Sequence, residues 1–143
     1  MDEMIKLLDS NLKIIEYHFE NDILLMDIQS SEETVICPYC NQASNKVNSK
    51  YVREIFDLPV QSYKLKIKLH VRTFFCKNPE CNHKTFAERF NFLNSYARVT
   101  KRLEEKINDV AINMSARSAK KIINNGIANI SDDTILRIIK KKQ

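Results

Sequence analysis

Two short cysteine segments decide how this chain folds: CPYC at residues 37–40 and CKNPEC at residues 76–81. A tetrahedral zinc ion needs four soft ligands at about 2.3 Å. A two-residue gap lets one tight turn present both thiolates to one ion, and the four-residue gap still allows this because Asn78-Pro79 favours a turn. The thirty-five residues between the pairs suit a β-hairpin that brings both turns together. We therefore predict a zinc ribbon with one structural Zn²⁺ ion, held by Cys37, Cys40, Cys76 and Cys81.

Other interpretations of the cysteines compete with this one. A redox-active CxxC pair opens a helix after a strand and does not need a second matched pair. Disulfides form in oxidising compartments, and the chain shows no export signal. Four buried cysteines without metal are a further alternative. His83 is an alternative ligand, although it also suits a plain surface position. Since four sulfurs close the coordination shell, we expect no catalytic water on the metal.

The clearest strand pattern lies between the two cysteine pairs. Residues 64–75 are predicted to form a strand with one buried face, because apolar and polar residues alternate over the nine residues 64–72. Its other face is basic, and lysines two residues apart repeat at ~6.6 Å, which suits contact with a phosphate backbone. The alternative is a solvated face whose lysines discourage edge-to-edge pairing. The DNA-contact candidates on this strand are Lys64, Lys66, Lys68 and Arg72.

The residues before the first cysteine predict a β-hairpin. Lys13–Phe19 and Ile23–Gln29 both alternate in polarity, and three polar residues separate them. We expect residues 1–34 to form this N-terminal hairpin region and residues 35–95 to form the zinc-ribbon domain.

Helical periodicity replaces alternation in residues 96–143, which we expect to form a third domain. Thr100 is the predicted N-cap of a first helix. A second helix, Ala116–Asn124, ends before Gly126, the single glycine of the chain, where left-handed backbone is expected. Ser131 caps a third helix whose first turn carries two aspartates.

Three short helices with a glycine-containing turn before the last are typical of a helix-turn-helix. The third helix has a polar and basic face of the kind that enters a DNA major groove. Its DNA-contact candidates are Thr134, Arg137, Lys140 and Lys141. The alternative is a three-helix bundle that binds another protein. The predicted fold class is therefore α+β: a small antiparallel β zinc ribbon with an N-terminal β-hairpin, followed by a three-helix helix-turn-helix.

The charge distribution indicates a polyanionic partner. Residues 1–36 carry nine acidic and two basic residues, a net charge of −7, whereas residues 37–143 carry nine acidic and twenty-one basic residues, a net charge of +12. A segment with so much positive charge repels itself unless a polyanion neutralises it, so double-stranded DNA is the favoured partner. Solubility alone is the alternative explanation.

Composition also limits where the protein acts. The chain is 43% hydrophobic, which predicts a globular protein, and no apolar run approaches the ~20 residues that span a bilayer. The acidic first residues lack the regions of a signal peptide. We expect a cytosolic protein with neither a membrane partner nor a small-molecule substrate.

Several segments carry a family resemblance. They are CPYC at 37–40, KYVR at 50–53, DLP at 57–59, VRTFFC at 71–76, NPEC at 78–81 and TFAER at 85–89. Together they resemble the N-terminal zinc-binding region of the ISL-three family of insertion-sequence transposases. The segments AR at 97–98, Thr100, RL at 102–103 and SDDTILR at 131–137 are similar to that family's helix-turn-helix. The resemblance covers residues 10–142.

The resemblance implies a bacterial cytosolic, nucleoid-associated protein that binds the terminal inverted repeats of a mobile element. In the family a DDE-type nuclease domain follows, and this chain ends at 140–143 where that domain would begin, so we expect a transposase fragment without catalytic residues and not an enzyme. Self-association or binding to a full-length transposase would accompany this role. The alternatives are a zinc-stabilised protein-interaction module and a stand-alone transcriptional regulator.

Two positions depart from the family pattern. Asn41 stands where the family usually has glycine, and asparagine tolerates left-handed backbone nearly as well. Asn48 replaces a usual histidine, so a contact made by that histidine is not expected here.

Overall fold

The structure is a computed structural model that describes residues 2–141. Met1, at the start of the predicted hairpin region, and Lys142 and Gln143, at the end of the predicted helical domain, lie outside the described residues. The strands are β1 (Leu12–Glu20), β2 (Ile23–Ser30), β3 (Val35–Ile36), β4 (Ala43–Ser44), β5 (Val47–Val60), β6 (Tyr63–Phe75) and β7 (Thr85–Ala87). The helices are α1 (Asp2–Lys6), α2 (Lys101–Ala111), α3 (Ala116–Asn124) and α4 (Asp132–Lys141). Over this range, no helix combines the length and the apolar composition that crossing a membrane requires.

Five strands form one mixed sheet in the order β1-β2-β6-β5, with β7 also paired to β6. The strand pairs β1–β2 and β5–β6 are antiparallel hairpins, whereas β2 and β6 run parallel. The two hairpins turn at Asn21 (φ 55°) and Gln61 (φ 54°), since two-residue hairpin turns require a positive φ. The short strands β3 and β4 pair with each other beside the first cysteine turn.

The main core lies on one face of this sheet. Parallel pairing places Leu24 beside Leu65, Met26 beside Ile67 and Ile28 beside Leu69, and these side chains are at most 1% exposed. Ile5 of α1 and the segment 92–93 pack on the same cluster. Alternation in both strands therefore gives a continuous apolar layer once they lie side by side.

The predicted fold class is wrong. The N-terminal hairpin and the ribbon strands form one mixed five-stranded sheet, not a separate hairpin beside a small antiparallel ribbon followed by a three-helix helix-turn-helix. One short helix, α1, precedes the sheet. The C-terminal helices α2, α3 and α4 pack against the sheet through Phe56 and Leu58 of β5. The error has a physical cause: alternation shows which residues share a face, but it does not show which strand lies next to β6.

The residues predicted to begin and end the C-terminal helices are confirmed. The Thr100 side chain caps α2 by accepting from the backbone N–H of Leu103, and Ser131 accepts from the N–H of Thr134 at 3.2 Å. Gly126 follows α3 with φ 102°, the conformation expected after a helix C-terminus. These features depend on few neighbouring residues, which is why the sequence shows them.

A buried carboxylate joins the sheet to the helices. Asp57 of β5 is fully buried and accepts hydrogen bonds from the hydroxyl of Thr100 at 2.7 Å and from Nε of Arg102 at 2.8 Å. The guanidinium of Arg102 is hydrogen-bonded to Asp57, which raises the pKa of Arg102. Beside this contact, the Phe56 N–H donates to the Arg98 carbonyl at 2.9 Å. The start of α2 is therefore fixed on β5 by both side chains and backbone.

Replacement of this carboxylate tests the junction. We expect Asp57→Ala to lower the free energy of unfolding by about 3 kcal/mol, because buried donors and a partly buried guanidinium lose their acceptor. Glu54→Ala, on the same strand, removes a partly exposed ion pair with Lys66 and should cost less than about 1 kcal/mol. Chemical denaturation measures both values. Equal losses would show that Asp57 does not hold the two parts together.

Candidate zinc centre and nucleic-acid interface

The first cysteine turn connects β3 to β4. Cys37 donates its backbone N–H to the carbonyl of Gln42 at 2.9 Å, and its own carbonyl accepts from the N–H of Asn41 at 2.8 Å. Asn41 has φ 64°. The residue that stands in place of the family's glycine therefore adopts the left-handed conformation that glycine favours, and Cys40 is presented on the same turn as Cys37.

The second cysteine turn connects β6 to β7. Cys76 donates to the carbonyl of Lys84 at 2.8 Å, and Cys81 donates to the carbonyl of Asn78 at 3.1 Å. The side-chain oxygen of Asn78 accepts from the Glu80 N–H at 3.0 Å, which forms the turn expected from the NPE sequence. The wider spacing of this pair is accommodated by that additional turn.

The four sulfurs converge. All of them lie within 4.8 Å of one another, and Sγ of Cys40 is 3.5 Å from Sγ of Cys76. Tetrahedral zinc with bonds of about 2.3 Å places its sulfurs about 3.8 Å apart, so the cluster has the dimensions and the donor set that zinc needs. Cys37 is fully buried and packs with Phe74 and Phe86. The predicted site of one structural zinc ion is confirmed as a four-cysteine centre able to bind it.

The thiols have unequal acidities. The Gln42 backbone N–H donates to the Cys40 sulfur, and this contact is the main reason that the pKa of Cys40 is lowered to about 7. For Cys76, the Asn78 N–H lowers the pKa, but burial and the neighbouring sulfurs outweigh it and raise the pKa to about 12. Four thiolates this close repel one another, and a divalent cation is the counter-charge that stabilises them together.

The alternative ligand His83 occupies a different place. Its ring stacks on Tyr39 with centroids 3.5 Å apart and an angle of 7°, and the Arg89 guanidinium lies 5.4 Å from the centre of the same Tyr39 ring. Within residues 2–141, the metal-binding group consists of the four cysteines alone. His83 therefore supports the aromatic side chain of the first turn.

Substitution of one ligand tests the zinc site. We expect native mass spectrometry to show one zinc per chain, lost in Cys76→Ser with a lower melting temperature, because metal-binding energy stabilises the fold. His83→Ala is the matched control and should retain the zinc. Zinc retention in Cys76→Ser, or zinc loss in His83→Ala, would contradict this ligand assignment.

Removal of the metal should destabilise the two cysteine turns and leave the helices folded. The cysteines pack in a small cluster with Phe74 and Phe86, apart from the sheet core and the helical core. After chelation we expect rapid amide hydrogen exchange in residues 35–46 and 76–85, while circular dichroism retains the helical signal. Simultaneous loss of the helical signal would show instead that the whole chain unfolds as one unit with the metal.

The basic strand is largely engaged within the molecule. Strand β6 lies between β2 and β5, so it is not an edge strand. Lys64 is only 7% exposed, and its Nζ donates to the side-chain oxygen of Asn129 at 2.6 Å and lies 3.7 Å from Asp22. Lys66 lies 3.4 Å from Glu54. Among these lysines, Lys68 has no ion pair with any residue that the structure describes.

Arg72 is the most fully engaged of the strand's basic residues. Its Nε and Nη2 donate to the two carboxylate oxygens of Glu88 at 2.9 and 2.8 Å, and this contact raises the pKa of Arg72. Nη2 also donates to the Glu32 carbonyl at 2.7 Å. This geometry gives Arg72 a structural role, and phosphate contact by Lys66 and Lys68 stays a prediction.

The four candidates on α4 do not share one exposed face. Thr134 is 8% exposed and packs inward beside Ser131, so its predicted position on the polar face is corrected. Lys141 lies 3.6 Å from Glu104 of α2. Arg137 is exposed and faces the sheet, whereas Lys140 is exposed to solvent.

A groove that the sequence did not reveal lies between the zinc ribbon and α4. Four of the seven arginines of the chain line it, namely Arg53, Arg89, Arg98 and Arg137. Three tyrosines also line it: Tyr39, Tyr51 and Tyr96. We call this surface the arginine groove; its volume is about 760 Å³. Its members come from separate elements across 99 residues of sequence, so no local pattern could have predicted it.

The acidic residues in the arginine groove do not neutralise it. Glu88 is paired with Arg72, and Glu54 is paired with Lys66. Within residues 2–141, only Arg72 and Arg102 among the arginines form ion pairs. The four arginines of the groove therefore present positive charge without a carboxylate partner in the described part of the chain.

Comparison with known proteins identifies one part of the chain. Residues 33–85 match the family model of the zinc finger of the transposases IS204, IS1001, IS1096 and IS1165. In this segment the chain is similar to the zinc ribbon of ISL-three transposases. The segment begins just before β3, reaches the first residue of β7 and contains all four cysteines. No curated protein and no solved structure matches the chain.

Proposed function

We propose that this chain binds double-stranded DNA as the recognition part of an insertion-sequence transposase, with terminal inverted repeats as its target. The observation that carries the proposal is the arginine groove, which adjoins a zinc ribbon of transposase type. Arginine binds phosphate and guanine through a rigid set of donors, so a groove whose four guanidinium groups have no carboxylate partner within residues 2–141 favours DNA over an uncharged partner.

The walls of the groove are positioned by different parts of the fold. The zinc turn carries Tyr39, over which Arg89 lies. Arg53 projects from β5 and donates to the Ala97 carbonyl at 2.6 Å, whereas Arg137 extends from α4. Arg53 and Arg137 thus lie on a strand and a helix, and rigid elements hold recognition groups more precisely than loops do, which supports a role in sequence recognition as well as in general affinity.

We propose that these residues recognise DNA and do not cleave its strands. Four sulfur ligands close the coordination shell of the zinc, so the metal would stabilise structure without activating water. Phosphoryl transfer by transposases of the DDE type uses carboxylates around divalent cations, and the groove's two carboxylates are held in ion pairs with Lys66 and Arg72.

Two substitutions separate base reading from phosphate binding. We expect Arg137→Ala to reduce the preference for a duplex enriched from a random library over a random duplex, by about 1–3 kcal/mol. Lys68→Ala should weaken both complexes equally and lower the salt slope by about one, because Lys68 has no ion pair within residues 2–141. Fluorescence anisotropy at several salt concentrations measures both effects.

The matched control is Arg117→Ala, which removes the same charge from an exposed position on α3, outside the arginine groove. It should leave both affinities nearly unchanged. Equal weakening by Arg117→Ala and Arg137→Ala would mean that net charge, and not the groove, determines binding. An affinity that does not fall with salt would contradict DNA as the partner.

A further inference from the structure

The turn before α2 projects one aromatic side chain into solvent. Tyr96 is 92% exposed, and its φ of 62° lies in the left-handed region. A bulky residue with positive φ is uncommon, and such strain concentrates at functional sites. Nothing in burial explains why a tyrosine occupies this position.

The turn that carries Tyr96 is held firmly. The Ala97 carbonyl accepts from Arg53, and the Ala97 N–H donates to the Asn94 carbonyl at 3.1 Å. The Asn94 side chain in turn donates to Glu104 of α2 at 3.2 Å. Tyr96 is therefore presented on a fixed support at the arginine groove, and its exposure is built into the fold.

A second unpartnered ring lies in the same groove. Tyr51 of β5 is 44% exposed, and within residues 2–141 neither Tyr51 nor Tyr96 stacks on another ring or on a cation, whereas Tyr39 stacks on His83. The groove volume of about 760 Å³ lies within the ~300–1,000 Å³ typical of ligand clefts. Aromatic faces between arginines match the alternation of bases and phosphates along a nucleic-acid strand.

We propose that the arginine groove binds DNA at a segment with unpaired bases, and that the Tyr96 ring stacks on one of them. This proposal rests on the DNA-binding function proposed above and restricts the bound DNA to segments with unpaired bases. In an intact duplex each base face is covered by its neighbours, so stacking on a protein ring first requires unstacking. A segment that is already unpaired avoids this cost, while Arg53 and Arg98 neutralise its phosphates.

The test uses the zinc-loaded full chain and three DNA probes. They are a fully paired duplex, the same duplex with a short central run of mismatches, and a single strand of equal length. We expect the wild type to bind the mismatched duplex about tenfold more tightly than the paired one, the effect of one stacked base. Tyr96→Ala should lose this preference, so that its affinities for the mismatched and the paired duplex become equal.

Two matched variants separate stacking from other roles. Tyr96→Phe keeps the ring and removes the hydroxyl, so it should keep the preference; its loss would mean that the hydroxyl binds phosphate and would overturn the proposal. The second variant, Tyr17→Ala, removes an exposed tyrosine from edge strand β1, outside the groove. Tyr17 is about as exposed as Tyr51, and its loss should leave the preference for the mismatched duplex unchanged. Circular dichroism and zinc content show that each variant is folded.

A second measurement does not depend on these variants. A fluorescent adenine analogue in the mismatched run should be quenched when the wild-type protein binds, because stacking quenches such bases. Equal affinity for paired and mismatched duplexes, or binding without quenching, would overturn the stacking proposal while leaving salt-dependent duplex binding intact. Absence of salt-dependent binding to every probe would instead overturn the DNA-binding function itself.

Discussion

The junction at Asp57 fixes the geometry on which the candidate interface depends. One buried carboxylate binds the N-cap hydroxyl and a guanidinium of α2, and the backbone of Phe56 pairs with the segment that leads into that helix. A buried charge is stable only when its partners are all in place, so these contacts allow one orientation of the helices. The arginine groove exists because that orientation brings α4 opposite the zinc ribbon.

The uneven charge of the chain has an internal explanation as well as a functional one. The acidic N-terminal region supplies partners to the basic strand: Asp22 lies beside Lys64, and Asp27 accepts from His70 at 2.9 Å. Parallel pairing of β2 with β6 brings these residues close, since Ile23, which follows Asp22, is the register partner of Lys64, and Asp27 is the register partner of Lys68, two residues before His70. The charge that stays unneutralised is therefore carried mainly by residues outside β6, and the basic strand would contribute less to the proposed DNA surface than its composition indicates.

Sequence patterns were sufficient where structure depends on few neighbouring residues. The four cysteines converge as predicted, the strand predicted from Lys64 to Phe75 differs from β6 by one residue, and Thr100 caps α2. Sequence patterns did not predict the contacts between segments that are distant in the chain. Neither the pairing of β2 with β6 nor the grouping of Arg53 with Arg137 leaves a periodic trace in the sequence. Thr134 is buried because α4 packs against both α2 and α3.

Zinc and the aromatic residues are connected through the first cysteine turn. Tyr39 lies between two zinc ligands, stacks on His83 near the second turn and lies beneath Arg89. A structural metal therefore orders one wall of the arginine groove, while the Asp57 junction orders the opposite wall. Groups that are already ordered lose less conformational entropy on binding. Metal binding and the packing of α2 thus act together, because each would lower the entropic cost of bringing arginines and aromatic rings together on the proposed DNA ligand.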